Sequence, residues 1–278
     1  MLAVRNLTKS FDTPDGARVR VVDVAAFELA PGDQIALRGE SGSGKTTFLH
    51  LIAGILRPNS GDIFIDGVEM TALGESKRDA LRAAKIGYIF QNFNLIQGHT
   101  VLENVLLGMS FAPGGADGAR ARALLERVGL GNRLRHFPRE LSTGQQQRVA
   151  VARAIANRPK LVLADEPTGN LDNRNTADAL DLIKETCAEC GASLLLVSHD
   201  DATLARFERV REFSEINRMD RASRSPWGQT RGQKTEDRGQ RTEVRQKTDL
   251  RFLASDFRLL TSDFCLPTSD FWPLTSDF

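Results

Sequence analysis

Long apolar runs are missing from this 278-residue chain, and none approaches the ~20 residues a helix needs to span a bilayer. Cysteine is scarce: the three, Cys187, Cys190 and Cys265, are an odd set that cannot form a disulfide framework and fits a reducing cytosol. The opening residues Met1–Asn6 lack a basic stretch followed by a long apolar one, so no signal peptide is expected. Charge of either sign is not in excess. Lys and Arg number 37 against 36 Asp and Glu, a formal net charge of +1, which argues against a nucleic acid as the main partner. A second C-x-x-C pair is also lacking. Cys187-Ala-Glu-Cys190 stands alone near the end of a helical stretch, so a structural role is expected for it rather than metal or redox chemistry.

What is present alternates between two periods. Leu2–Asn6 and Val19–Leu29 read as strands, joined across the turn signal Thr13-Pro14-Asp15-Gly16. Gln34–Leu37 is a short buried strand leading into Gly39–Thr46 and then a helix through Leu56. Gly61–Gly67 and Ile86–Gln91 read as further strands. From about Asn92 to Asn157 helices take over, among them Ala119–Gly129 with Leu124, Leu125 and Val128 on one face. The strands Leu161–Asp165 and Ser193–Ser198 flank a helix over Thr176–Glu189. Strands alternating with helices imply an α/β fold with a mostly parallel core sheet, an antiparallel β part at the N-terminus, and the helical block 92–157 as an insertion. The expected domain is 1–222. Beyond it, 223–278 is a low-complexity tail. Ser223–Arg251 is rich in Arg, Gln and Thr, and Ser-Asp-Phe recurs every seven residues to end at Phe257, Phe264, Phe271 and Phe278. Pro267 and Pro273 exclude a coiled coil, and so few aliphatics cannot offset the ordering entropy of ~1–2 kcal/mol per residue, so disorder is expected.

Four segments carry chemistry. Gly39-Glu40-Ser41-Gly42-Ser43-Gly44-Lys45-Thr46 matches G-x-x-x-x-G-K-[ST] between a strand and a helix. Glycines let backbone N–H groups curl round a phosphate, Lys45 supplies a point charge to the β/γ-phosphates, and the Thr46 hydroxyl can ligate Mg²⁺. Asp165 ends an apolar strand where it can approach that Mg²⁺, and Glu166 beside it is the expected general base. His199 and Gln91 each close a strand at the carboxyl edge, where ligands of open α/β sheets collect. Leu141-Ser-Thr-Gly-Gln-Gln-Gln-Arg148 is a helix start, with Ser142 and Gln145 forming a capping box. The Ser142 hydroxyl, Gly144 and a helix N-terminus together also make a phosphate-binding surface.

Taken in order, the phosphate loop, Gln91, LSTGQQQR, LADEPTGNLD and His199 resemble the nucleotide-binding subunit of an ABC transporter, over about Met1 to Ala222. The resemblance implies a P-loop NTPase of ABC type that binds ATP with Mg²⁺ and hydrolyses it. It implies a head-to-tail homodimer in which the phosphate loop of one copy and the LSTGQ signature of the other sandwich each ATP. It assigns Gln91 to the Q-loop, Asp172 to the D-loop and His199 to the switch histidine, with metal ligation by Thr46, Gln91 and Asp165. Phe11 stands where the family stacks an aromatic on adenine, and Thr47, Ser142, Gly144, Gln145 and Asp172 join the nucleotide-contacting set. The strings Gly87–Leu95, Thr100–Val105 and Ala164–Asp172, with the segment Asp12–Arg20, look like the lipoprotein-releasing, macrolide-export and cell-division group. Such a subunit would sit on the cytoplasmic face of the inner membrane, docked to permease subunits near the Q-loop and the helical block. A soluble ABC ATPase acting on DNA, ribosomes or iron–sulfur assembly is the alternative. Two departures stand out: Thr143 where the signature usually has Gly, and Asp200–Ala222 where the family's strand pair is poorly matched.

Overall fold

A computed structural model describes residues 1–14, 16–171 and 173–219. Asp172, Cys265, the domain end at 222 and the repeats of 223–278 lie outside the described residues.

Strands β1 (Leu2–Asp12) and β2 (Arg18–Leu29) form an antiparallel hairpin, and β3 (Gln34–Arg38) leads into α1 (Lys45–Ile52). Then follow β4 (Ser60–Ile65), β5 (Val68–Glu69), α2 (Glu75–Lys85) and β6 (Ile86–Ile89). The helical block holds α3 (Val101–Ser110), α4 (Gly118–Arg127) and α5 (Thr143–Ile155). The chain returns through β7 (Leu161–Asp165), α6 (Asn173–Glu189) and β8 (Ser193–Ser198), and closes with α7 (Asp201–Leu204), β9 (Val210–Glu212) and α8 (Phe213–Ile216).

Two sheets result. The antiparallel one runs β2-β1-β4-β5, and the core sheet runs β6-β7-β8-β3-β9 with every neighbouring pair parallel. Every residue of β7 and β8 is buried, as expected of parallel strands covered on both faces. One core, with Phe27, Phe48, Leu49 and Phe213, lies between the antiparallel sheet, α1 and the core sheet. A second packs Val151, Ile155, Leu180 and Ile183 against Val162, Leu194 and Leu196. The helical block has a core of its own, built on Val101, Val105, Leu125, Val128 and Val149.

Several expected boundaries move, for local reasons. The first strand continues past Asn6, whose left-handed φ of 48° breaks the in–out alternation and shifts the register against β4 between Arg5 and Thr8. Gly61 serves that bulge: at φ 91° it sits so close to the Asn6 carbonyl that a Cβ would lie 2.3 Å from the oxygen. The helix expected through Leu56 stops at Ile52, because Gly54 turns left-handed at φ 67°. Helix α2 was invisible to hydrophobic periodicity because it buries none of its residues. Its Arg78 and Arg82 guanidiniums instead donate to the Gly54 carbonyl at 3.0 and 3.5 Å, beyond the end of α1. Among the described residues the edge after His199 contributes one strand, β9, parallel to β3. Among the described residues no helix is long and apolar enough to cross a membrane.

Candidate functional site

The strand order sets the site. Because β6, β7, β8 and β3 are parallel neighbours, their carboxyl ends line one edge. That edge carries, in turn, the Gln91 segment, Asp165–Glu166, His199 and the loop Gly39–Gly44. The loop is shaped by two left-handed glycines, Gly42 at φ 80° and Gly44 at φ 97°. At Gly44 a Cβ would fall 2.7 Å from the Val21 carbonyl oxygen, so only glycine lets the loop pass under β2 into α1.

Lys45 is the first residue of α1 and is buried. Its ammonium donates to the carbonyls of Gly39 (2.5 Å) and Glu40 (2.9 Å) and lies 3.6 Å from Glu166 Oε1. Two of its protons therefore have acceptors in the loop, and the Glu166 carboxylate balances its charge as an ion pair. The Ser43 hydroxyl, by contrast, is buried with no partner, a polar group aimed into a loop built to hold an oxyanion. Thr46 Oγ1 donates to Asp165 Oδ1 at 3.2 Å. These two hard oxygens are donors of the kind a divalent cation takes. The Asp165 carboxyl is pushed up to about 6, mainly by burial and further by the Glu166 charge, while Thr46 and Lys45 pull the other way. A buried carboxylate in that state gains from a neighbouring cation.

Glu166 occupies the left-handed region at φ 45°, unusual for a residue with a Cβ. Its backbone N–H donates to Val197 O, and its carbonyl accepts from Gly169, which holds the twist. His199 Nδ1 lies 2.8 Å from Glu166 Oε1, a contact that puts a proton on Nδ1, since an ionised carboxylate only accepts. The His199 ring is otherwise 61% exposed. Gln91 lies two residues past the end of β6, in a turn, not at the strand terminus as expected. It still joins the site. Asn170 donates to the Gln91 carbonyl at 2.8 Å, and a Cβ on Gly169 would come within 3.2 Å of the Gln91 amide nitrogen.

The structure thus brings Lys45, Thr46, Asp165, Glu166 and His199 into one cluster, with Gln91 at its margin. Phe11 lies near the end of β1, 38% exposed, with the Lys9 ammonium over its ring. The signature is arranged otherwise. Ser142 caps α5 by accepting from the Gln145 N–H at 3.3 Å while Gln145 Oε1 accepts from the Ser142 N–H. Among the described residues no hydrogen bond joins Ser142–Gln146 to the loop Gly39–Thr46. Thr143, the departure, is exposed and opens α5 without a left-handed φ, so the backbone there asks for no glycine. Cys187 is buried, its thiol pushed up to about 12 mainly by burial, a core group with no metal cluster around it among the described residues.

Sequence reasoning missed three residues. Ser198, directly before His199, donates to Glu166 Oε2. Asn170 holds the Gln91 carbonyl. Arg153 on α5 donates to the carbonyls of Phe93 and Asn94, both left-handed.

Comparison with known proteins gives the family of the chain. The ABC transporter family profile matches residues 22–169, more than half of the chain. The chain belongs to the ABC transporter family. It is similar to the lipoprotein-releasing system ATP-binding protein LolD of Pseudomonas syringae pv. tomato, 42% identical over 76% of this chain and 93% of that protein. It is also 43% identical, over 69% of its length, to 27% of the macrolide export ATP-binding/permease protein MacB of Syntrophobacter fumaroxidans. Among solved structures it resembles the dimeric, post-hydrolysis ATP-binding cassette MJ0796 bound to ADP and Pi. That match has a TM-score of 0.70 and 34% identity, over 76% of this chain and 94% of that one. As an ATP-binding subunit of this family the chain is an ATPase, and its fold is the P-loop ABC-type α/β fold with parallel and antiparallel sheets.

Proposed function

We propose that this chain powers export, or extraction of a membrane-held substrate, through a separate permease, by closing as a head-to-tail homodimer on ATP. One observation carries the dimer. Residues Gly39–Lys45, Asp165, Glu166 and His199 are wired together, while the signature end of α5 is exposed and touches none of that loop by hydrogen bonds. A half-site turned outward at Ser142, Gly144 and Gln145 is one that a second copy can use. The relatives named for lipoprotein release and macrolide export support the transport direction and the permease, which would dock near Gln91 and the inserted subdomain 92–157 at the cytoplasmic face of the membrane. The relatives do not favour a non-transport ATPase.

In hydrolysis, a water oxygen attacks the γ-phosphorus in line, the bond to the β–γ bridging oxygen breaks, and ADP leaves. Glu166 takes the proton of that water, and His199 holds the Glu166 carboxylate. Lys45 exchanges the loop carbonyls for the β/γ-phosphate oxygens, and the orphan Ser43 hydroxyl and the loop N–H groups complete the cradle. Mg²⁺, when bound, neutralises phosphate charge, and Thr46 and Asp165, with Gln91, are the residues that would hold it. Thr47 and Asp172 join the nucleotide contacts, and the Phe11 ring offers its face to adenine. The test is Glu166→Gln, which keeps the shape of the side chain and removes the base. With ATP and Mg²⁺ it should run as a dimer on size exclusion. A persistent monomer at saturating ATP would overturn the sandwich.

A further inference from the structure

Ser198 sits at the end of β8, 1% exposed, and its hydroxyl takes part in a chain of hydrogen bonds whose proton positions can be counted. The Asp200 N–H points at Ser198 Oγ from 3.1 Å, so the hydroxyl accepts there. Its single proton is left for Glu166 Oε2, 3.1 Å away, and the His199 N–H supports the same oxygen from 3.4 Å. The Asp200 carboxylate is fixed as well. It accepts from the Thr203 hydroxyl at 2.7 Å and from the Thr203 N–H at 2.9 Å. These bonds, the Thr203 hydroxyl first, hold its carboxyl below the usual carboxylate range. Since the Thr203 proton goes to Asp200, the buried contact of 2.9 Å between the hydroxyls of Thr168 and Thr203 has Thr168 as donor. The chain of bonds therefore leaves Glu166-Pro167-Thr168 at its first residue and returns to it at its third, passing through the start of α7. Within that loop Glu166 keeps its left-handed φ.

We propose that Ser198 is the positioning residue for Glu166 in ATP hydrolysis: its hydroxyl binds Oε2, fixes the carboxylate plane and leaves Oε1 to face the attacking water. The inference rests on Glu166 being the base. Oε1 is the oxygen that meets His199 at 2.8 Å and lies 3.6 Å from Lys45. Oε2, by contrast, is held by the end of β8 alone. A carboxylate anchored through one oxygen cannot swing when Lys45 transfers to phosphate, and a small angular error at a base costs rate far more than binding.

The experiment compares full-length Ser198→Ala, Ser198→Thr and Glu166→Gln in single-turnover hydrolysis of ATP–Mg²⁺, with ATP affinity measured by nucleotide fluorescence. Ser198→Ala should lower the hydrolysis rate about tenfold or more with ATP affinity unchanged, and Ser198→Thr, which restores the hydroxyl, should recover most of the rate. An unchanged rate in Ser198→Ala beside an inactive Glu166→Gln overturns the role of Ser198 while leaving Glu166 as base. Full turnover in Glu166→Gln overturns both. Loss of ATP affinity in Ser198→Ala, or failure of Thr to restore the rate, assigns Ser198 to packing and also overturns the proposal.

Discussion

The carboxyl edge of the core sheet and the N-terminal end of α5 treat their polar groups in opposite ways. At the sheet edge, charges compensate one another: Lys45 is spread over two carbonyls and Glu166, Asp165 over Thr46, and Glu166 over Lys45, Ser198 and His199. At the start of α5 Ser142 and Gln145 bond each other, Gln146 donates to the Pro138 and Leu141 carbonyls just before the helix, and Ser142 and Thr143 face solvent. The edge rests in a self-satisfied state that nucleotide must rearrange. The signature rests in a state that needs no rearrangement but has no counterpart in its own chain. In the proposed sandwich, affinity for ATP is set against contacts the edge already has, whereas the signature contributes only on assembly.

The contrast can be broken most strongly through Arg153, which hydrogen-bonds the α5 helix to the segment after Gln91. It donates to Phe93 O and Asn94 O at 2.6 Å each, and burial pushes its guanidinium down to about 10. Arg153→Met should cost about 2 kcal/mol by denaturant unfolding, since two carbonyls of left-handed residues lose their donor. If stability is unchanged, α5 and the Gln91 segment are not mechanically joined as drawn. A smaller effect is expected from the Asp165 carboxyl, which sits at about 6 against 3.8 for the ordinary group. A folded acid with a raised value binds its proton more tightly than the unfolded chain. Nucleotide-free protein should therefore lose stability from this group as pH rises from about 4 to about 6, and regain it on acidification through the same window. Comparing melting temperature against pH for the parent and Asp165→Asn checks this, and the variant should lack that slope. Thr143→Gly should do least. Thr143 is exposed on regular helical backbone, so stability should fall by a few tenths of a kcal/mol and ATP turnover should not change. A rise in turnover would show that the threonine restrains the signature.

Much of this arrangement was legible in the sequence where chemistry follows chain order. The phosphate loop, Asp165-Glu166 and His199 each sit just past an apolar strand, so parallel pairing alone gathers them. Ser198 was not legible, because a hydroxyl beside a histidine has no pattern until β7 and β8 are seen side by side. Arg153 was not legible either, since its partners are carbonyls 59 and 60 residues away. Helix α2 buries none of its residues and meets the core through the half-buried Leu81, and β9 is three residues long with Val210 and Arg211 exposed, so both lack the apolar pattern that marks a core element. The boundary of β6 failed for a simpler reason: Phe90 and Gln91 look like strand but lead into a turn at Phe93 and Asn94.

Asn217 gives the fold a clock. Its side chain accepts from Asp23 N–H at 2.7 Å and donates to Val21 O and to Ser43 O, the last 174 residues earlier in the chain. During translation at about 5–20 residues per second, the phosphate loop therefore leaves the ribosome on the order of ten seconds or more before the residue that steadies it exists. The tie between Asn217 and Ser43 is therefore a late one, formed only after the strands that lie between them in the chain have been made.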